Sequence, residues 1–432
     1  MIERMAVGSV VARRLASAVA PLLYFAASTA LFFRAILFTG HQFHIPYDLY
    51  EYHYPLTELI AWSLRQFRQL PWWNPFSYCG EPFSGNITTA MFYPATLPVV
   101  ALGNLLYGRV PYSFMEMQVV AHVFFAGLGA YVLLRRLGCW RAPALLGGTV
   151  FQLGAFFASQ TQHLGAVAGA AWIPWLALAT RHLAERRNFA GLSATAVVLA
   201  LMVLAGFPAI FLPAYVFGGL WVLCWAYPSK GQGRSDSPLK PLARLAGPLA
   251  LYAGACLLSA ALAAVALLPA FDVARLSVAT LRPRQQAVEG FAWEALTSLL
   301  VPNFFSQLRG NYWGFVNYTF MYLYQGLPAL LLVVAGLALK PARRVVVFWV
   351  SAAFAFLWMF GGRFFLSEII FMVFPGFAAR GIYPEFVLAF FSLSFAALAA
   401  FSLQALGEDE LRVEVRLWKA AALAAFALGL VG

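Results

Sequence analysis

Stretches of about twenty mostly apolar residues recur along the whole chain, and an α-helix of that length can cross a bilayer. Only 11% of the residues are charged, whereas soluble domains carry about a quarter. This deficit excludes an ordinary soluble protein. The sequence therefore predicts an all-α, polytopic membrane protein with about eleven transmembrane helices. The predicted spans cover residues 15–38, 114–134, 143–159, 164–180, 190–205, 209–227, 248–269, 321–339, 345–361, 385–405 and 418–432.

Arginine and lysine fall in short clusters between these spans. Cytoplasmic loops of membrane proteins carry such an excess of cations, so the clusters report topology. The net charge of +12 is explained in this way, and we expect a lipid bilayer and no nucleic acid as partner. The clusters alternate correctly with the spans if the N-terminus is cytoplasmic. They are Arg4, Arg13, Arg14; Arg135, Arg136, Arg141; Arg181, Arg186, Arg187; Lys230, Arg234, Lys240, Arg244; Lys340, Arg343, Arg344; and Arg412, Arg416, Lys419.

Three segments that this orientation places on the outer face are longer than ordinary connections: 39–113, 270–320 and 362–384. Long connections in compact domains tend to carry function, and these are rich in aromatic residues. Within the first, residues 55–69 have an apolar stripe at helical spacing and predict an interfacial helix. The last span reaches Gly432 without a polar flank, so we expect the protein to continue beyond this residue.

A series of short motifs follows the first span in a fixed order. Each motif alone is weak, but together they resemble the YfhO-type bacterial membrane proteins, which belong with the GT-C glycosyltransferases. The resemblance runs from about Asp48 to Glu385. The motifs are Asp48; Leu70-Pro71-Trp72-Trp73-Asn74-Pro75; Gly80-Glu81-Pro82; Phe92-Tyr93-Pro94; Gly127-Leu128-Gly129-Ala130-Tyr131; Arg135-Arg136-Leu137-Gly138; Leu145-Leu146-Gly147-Gly148; Gly154-Ala155-Phe156; and His163 before Ala171-Trp172-Ile173-Pro174.

The resemblance implies one GT-C-like transmembrane domain over residues 1–432, in a bacterial inner membrane. It implies an enzyme that takes sugar from a polyprenyl-phosphate donor and delivers it to a cell-envelope acceptor (a polymer, a lipid or a glycan) on the outer face. An acidic residue in the first outer loop is the functional hallmark of GT-C enzymes, and Asp48 occupies that place. Two positions depart from the pattern: Phe207 stands where a histidine is expected, and a second basic residue is missing near Glu385.

Asp48 is the candidate catalytic residue. Glycosyl transfer to a hydroxyl needs a base for the acceptor proton, or a carboxylate that holds the acceptor or a metal. In a partly dry cleft, we expect burial to raise the pKa of this carboxyl. The alternative is a structural role, because Asp48-x-x-Glu51 fits a helix capping box. Both interpretations stay open, and one side chain could serve both.

Glu51 and His53 lie close to Asp48 and are candidate substrate contacts. They could also add ligands for a divalent metal ion. However, Asp-x-x-Glu-x-His is no established ligand spacing, and sites for such metals usually draw on several chain segments. We therefore assign no metal ligand, and a divalent metal remains an open alternative.

Four further residues are candidate substrate contacts. Arg380 lies in an outer segment just before a span, where a cation would stabilise the negative charge of a departing polyprenyl phosphate. His163 lies in a short outer turn between two spans. Trp73 and Asn74 belong to the first outer segment, where an aromatic ring could stack on a sugar. Interfacial anchoring is the alternative for the arginine and the tryptophan.

Glu116 and His122 are ionisable residues within or near the second span. Such groups are costly in a membrane and are functional candidates by default. Their structural alternatives are a headgroup position for Glu116 and a pairing of His122 with Gln118, one helical turn away.

A different class of function is a transporter, a flippase, or a protein that only binds polyprenyl-linked or other amphiphilic lipids. Transporters often carry internal repeats with paired broken helices. No convincing repeat relates the two halves of this chain, which favours the enzyme.

Overall fold

The computed structural model describes residues 19–39, 44–227, 239–276, 289–306, 312–314, 321–338, 342–373 and 383–408. Within these ranges the chain is helical apart from one pair of two-residue strands. The helices are α1 Val19–Phe32, α2 Arg34–Phe38, α3 Tyr54–Phe67, α4 Thr96–Tyr107, α5 Tyr112–Arg136, α6 Arg141–Leu153, α7 Ala155–Ser159, α8 Leu164–Ala171, α9 Ile173–Arg186, α10 Phe189–Leu204, α11 Pro208–Ala226, α12 Leu239–Leu262, α13 Ala264–Leu276, α14 Leu327–Gly336, α15 Arg343–Met359, α16 Phe365–Val373 and α17 Leu388–Gly407.

The all-α membrane class is confirmed by the length and composition of these helices. Five segments in the described part of the chain are long and apolar enough to cross a membrane: Tyr112–Arg136, Arg141–Ser159, Pro208–Ala226, Arg244–Leu262 and Pro384–Gly407. Shorter apolar helices accompany them: Val19–Phe32, Thr96–Tyr107, Phe189–Leu204, Leu327–Gly336 and Arg344–Met359. The number of eleven spans is not confirmed, and the predicted span 418–432 lies outside the described residues.

Local breaks explain why several predicted spans are not single long helices. The predicted span 164–180 consists of α8 and α9, which meet at Trp172 because Pro174 occupies the first turn of α9. The predicted span 143–159 is likewise divided at Gly154, between α6 and α7. Hydropathy averages over such breaks, so they are not visible in the apolar pattern.

Helix α17 lies at the centre of the bundle, and 89% of the most apolar part of Pro384–Gly407 is buried. It packs against α6, α14 and α15. Small residues allow the close approach to α6, as is usual between membrane helices. A Cβ added at Gly147 of α6 would lie 3.0 Å from the Ala396 carbonyl oxygen, 3.0 Å from the Ala400 Cβ and 2.4 Å from Leu134 Cδ1.

The segment that the charge pattern assigns to the outer face, residues 39–113 and called the first outer segment, folds within its described residues as a helix, a loop with paired strands, and a second helix. Helix α3 confirms the helix predicted at 55–69, and Pro55 stands in its first turn. It ends at Arg68, which adopts the left-handed conformation with φ 59°. Strands β1 (Trp73–Asn74) and β2 (Glu81–Pro82) then pair antiparallel. Helix α3 packs against α4 and buries its stripe of Leu56, Leu59 and Ile60.

We expect Gly147→Ala to destabilise the bundle, because its methyl group would overlap Leu134 Cδ1 and be held against it by the tight contact with the α17 backbone. Overpacking of this kind costs about 1–3 kcal/mol, which exceeds the gain of about 1 kcal/mol from replacing a helical glycine. The matched control is Gly247→Ala in α12, where an added Cβ has no atom within 4 Å. Thermal unfolding in detergent should show a lower Tm for Gly147→Ala only. Equal Tm values for the two variants would contradict the packing described here.

Candidate functional site

A buried carboxylate holds the chain that leads into the site. Glu116 of α5 is only 2% exposed. Its Oε1 accepts the backbone N–H groups of His44 and Ile45 at 2.7 and 2.9 Å. The Tyr112 hydroxyl donates to the Ile45 carbonyl. Hydrogen bonds to a charged acceptor are stronger than neutral ones, so these contacts fix the segment just before Asp48 to the bundle.

The chain then forms one π-helical turn at Leu49–His53, in which the Tyr54 N–H donates to the Leu49 carbonyl. Tyr47, just before it, has φ 64°, a left-handed conformation uncommon for a residue with a side chain. Single π-turns occur frequently at functional sites. Asp48 itself has helical backbone angles, and its side chain makes no capping hydrogen bond. The alternative interpretation of Asp48 and Glu51 as a capping box is therefore wrong.

Asp48 and His163, two residues far apart in the sequence, meet at this turn. His163 Nε2 lies 3.3 Å from Asp48 Oδ2. The Asp48 side chain is 55% exposed, whereas that of His163 is 14% exposed. The carboxylate is therefore accessible to solvent, whereas the imidazole beside it is largely buried.

Hydrogen bonds behind His163 settle which of its nitrogens carries hydrogen. The Ser159 hydroxyl donates to the Ala155 carbonyl at 2.8 Å, which leaves its oxygen to accept from Gln160 Nε2 at 3.2 Å. Gln160 Oε1 then faces His163 Nδ1 at 2.7 Å, so Nδ1 is the donor. The other ring nitrogen, Nε2, faces the Asp48 carboxylate, so His163 is held between Gln160 and Asp48.

The pKa of the Asp48 carboxyl is lowered from its ordinary value, chiefly by the hydrogen bond from His163. Partial burial acts in the opposite direction, and the charge of His163 adds to the lowering. The expectation that burial would raise this pKa is therefore wrong, because the histidine partner outweighs desolvation. At neutral pH, Asp48 is an anion that can accept a hydrogen bond.

His53 lies on the same turn but points inward and is only 7% exposed. Its pKa is lowered to about 4, chiefly by burial and also by the charge of His163, while the charge of Asp48 acts in the opposite direction. His53 is therefore neutral at physiological pH. Its role in the geometry is to fill the space beneath Asp48 rather than to add charge.

Phenylalanine rings form an apolar wall beside the pair. The rings of Phe386 and Phe207 lie 5.6 and 6.0 Å from that of His163, and 4.7 Å from each other. Gly206, with φ 81°, lets this wall approach the first outer segment, since an added Cβ would lie 2.2 Å from the Ile87 carbonyl oxygen. Glu385, next to Phe386, is buried.

Sequence reasoning did not single out Gln160 or Phe386. The polar run Gln160-Thr161-Gln162 directly before His163 was a usable signal for the first. No local pattern marks Phe386, because its position depends on how a distant span packs.

Trp73 and Asn74 lie in a different part of the first outer segment. The Asn74 side chain is 3% exposed, donates to Ser77 Oγ and Glu81 Oε1, and accepts from the Phe76 N–H. It also lines a cavity of about 490 Å³. Trp73 is 55% exposed and covers Gly80, where an added Cβ would meet its ring at 2.5 Å.

The other candidate residues lie away from the Asp48–His163 pair or outside the described residues. Glu51 is exposed while His53 is buried, so the two side chains do not converge with Asp48 on one point. Among the described residues, no group of three or more His, Cys, Asp or Glu is placed to hold a metal ion. Arg380 lies outside the described residues. The predicted pairing of His122 with Gln118 is seen at the Gln118 backbone carbonyl, 2.6 Å from His122 Nδ1.

No protein-family model matches the chain, and no curated protein matches it. Among solved structures it is similar to the archaeal oligosaccharyltransferase AglB from Archaeoglobus fulgidus in complex with an inhibitory peptide and a dolichol-phosphate. That likeness has a TM-score of 0.48 and 16% identity, over 95% of this chain and 54% of that chain. The apo form of the Archaeoglobus fulgidus oligosaccharyltransferase gives a TM-score of 0.44, 16% identity and the same coverage. The chain thus spans about half the length of these archaeal proteins.

We expect His163→Ala to raise the pKa of Asp48, because the hydrogen bond that lowers it disappears while partial burial remains. The chain has four aspartates, so carboxyl-¹³C aspartate labelling gives few NMR signals, and Asp48→Asn assigns the relevant one. A carboxyl with a lowered folded-state pKa adds stability above its unfolded pKa and loses it as the pH falls through the folded value. The exposed His182→Ala is the control. An unchanged Asp48 titration in His163→Ala would contradict the pairing.

Glu116→Ala should loosen the segment that carries Asp48, since two backbone donors lose their acceptor. A buried unsatisfied group costs about 1–3 kcal/mol. Hydrogen exchange of the peptide covering residues 44–54 should accelerate strongly in Glu116→Ala. The effect should be weaker in Glu116→Gln, which keeps an acceptor oxygen, and absent in the exposed Glu294→Ala. Exchange at the wild-type rate in Glu116→Ala would refute this anchoring.

Proposed function

We propose that this chain is a membrane glycosyltransferase of the GT-C kind. It transfers a sugar from a polyprenyl-phosphate donor to a hydroxyl of a cell-envelope acceptor. The observation that carries the proposal is the contact of 3.3 Å between the solvent-accessible Asp48 and the largely buried His163. The ordered motifs that resemble the YfhO-type proteins supply the reaction class. The charge bias of the loops supports a site on the outer face of a bacterial inner membrane.

The proposed reaction is a single displacement. The acceptor oxygen attacks the anomeric carbon of the sugar, and the bond from that carbon to the phosphate oxygen breaks. Polyprenyl phosphate leaves with the bonding electrons, and the acceptor proton passes to the Asp48 carboxylate. One displacement inverts the anomeric configuration. No oxidant or further reactant is required.

Asp48 acts late in this step, because a carboxylate with a lowered pKa is a weak base toward a free hydroxyl. It first accepts a hydrogen bond and thereby orients the attacking oxygen. As the new bond forms, the hydroxyl becomes acidic enough to give up its proton. His163 keeps the carboxylate in place and compensates its charge in a partly dry environment.

The remaining candidates have subordinate roles in the proposal. Arg380 stabilises the departing phosphate. Phe207 and Phe386 offer an apolar surface to the first isoprene units. The cavity of about 490 Å³ that Asn74 lines has aromatic and polar walls, as ligand sites commonly do, and its size suits an acceptor glycan. Trp73, Glu51 and His53 belong to the same segment of the chain as Asp48 and Asn74 and stay proposed substrate contacts.

Asp48→Asn tests the proposal directly. It keeps the size of the side chain but removes the proton acceptor, and loss of such a group typically costs about 10²- to 10⁴-fold in rate. The assay follows labelled hexose from a polyprenyl-phosphate-hexose to envelope material in membranes that contain the purified protein. The matched control is Glu294→Gln, a neutralised exposed carboxylate with no role in the proposed site, which should transfer sugar at close to the wild-type rate.

The same variants separate the enzyme from a lipid carrier. A flippase or lipid-binding protein should retain lipid movement or binding in Asp48→Asn, and the wild type should form no glycosylated product. Transfer at the wild-type rate by well-folded Asp48→Asn would remove Asp48 from the mechanism. Unchanged Tm values exclude misfolding as the cause of any loss.

A further inference from the structure

A groove of about 590 Å³ lies between α5, α9 and α10, away from the Asp48 site. His163, the partner of Asp48, precedes α8, and Arg186, which lines the groove, ends α9. The Asp48–His163 pair and the arginine end of the groove therefore lie at opposite ends of the consecutive helices α8 and α9. Much of the groove wall is apolar, formed by Val132, Leu178 and Val198 together with two tryptophans.

The aromatic part of this wall is held rigidly. The Trp172 indole N–H donates to the Tyr93 hydroxyl at 3.0 Å. Trp175 stacks on Phe125 with ring centroids 5.1 Å apart and an interplanar angle of 17°. Both tryptophans line the groove. The groove is therefore preformed, which is usual for sites that take a small ligand.

One end of the groove is strongly basic. Three arginines and one glutamate line it, and His182 lies beside them. Arg181 is already engaged, with Nε 2.8 Å from Glu185 Oε1 and NH1 donating to the Arg136 carbonyl at 2.7 Å. Arg136 and Arg186 form no ion pair within the described part of the chain. Their charges are therefore available to an anion at the mouth of the groove.

The length of the groove matches one leaflet. Trp172, which caps α9, and Arg186, at its end, are fourteen residues apart, which corresponds to ~21 Å at 1.5 Å per residue. One leaflet including its headgroup region is ~20–22 Å thick. An acyl chain lying against Leu178 and Trp172 thus brings a phosphate headgroup level with Arg186.

We propose that this groove binds an anionic phospholipid from the leaflet on the arginine-bearing side. Arg136 and Arg186 hold the headgroup, and one acyl chain lies along the apolar wall. The occupant follows from the chemistry: a long apolar channel that ends in uncompensated guanidinium groups suits a lipid with an acidic head and an acyl chain that can lie in the channel. A sugar donor for the Asp48 site would have its phosphate at the opposite end of the helices.

Native mass spectrometry of the purified protein, titrated with phosphatidylglycerol, tests the proposal. We expect a first lipid to bind more tightly than phosphatidylethanolamine, and excess inorganic phosphate should not displace it. Arg136→Gln/Arg186→Gln should weaken this binding about 20- to 30-fold, given the usual contribution of a basic residue near anionic lipid. The control Arg141→Gln/Arg187→Gln removes the same charge from exposed arginines that do not line the groove.

A third variant distinguishes a lipid bound in the groove from a lipid that is only attracted to the positive charge at the protein surface. Ala194 is exposed and lines the groove, so Ala194→Trp fills it without disturbing the core. Binding of the first phosphatidylglycerol should fall although every arginine remains. The proposal is overturned if the control pair loses as much affinity as Arg136→Gln/Arg186→Gln, if Ala194→Trp binds like the wild type, or if phosphatidylethanolamine binds equally well.

Discussion

The site depends on one buried carboxylate that is not itself a candidate for the chemistry. Glu116 accepts hydrogen bonds from the backbone N–H groups of His44 and Ile45, which lie just before Asp48 in the chain. Backbone N–H groups that are shielded from water need an acceptor within the protein, so the Glu116 carboxylate fixes the path of the chain. Because Ile45 is held there, Asp48 begins its turn at a defined height above the bundle and meets His163. An ionisable residue in a span can thus be essential for position rather than for reaction.

The sequence predicted those parts of the fold that depend on composition and local pattern. It identified the all-α membrane class, the helix that became α3, and Asp48 and His163 as candidates. It did not predict that the last two would form a pair, because their contact depends on how α8 packs beneath the first outer segment. The expected rise in the pKa of Asp48 was wrong for the same reason: burial is foreseeable from a pattern, but a partner 115 residues away is not.

Local changes in backbone geometry also could not be predicted from the hydropathy of the sequence. The π-turn that replaces the expected cap, the division of a span at Trp172, and the short strand pair around Asn74 all leave the average apolar pattern unchanged. The two ends of the α8–α9 crossing consequently have distinct characters. One presents a carboxylate on a histidine, suited to a neutral hydroxyl, and the other presents arginines above an apolar groove, suited to an acidic lipid.

The most direct measurement is a structure of the protein in a lipid nanodisc with a non-hydrolysable polyprenyl-phosphonate sugar and an acceptor bound. The account predicts that the acceptor oxygen lies within about 3 Å of the Asp48 carboxylate, the reach required for proton transfer, with the anomeric carbon directly beyond it. A donor bound elsewhere, with Asp48 facing only bulk water, would contradict the account.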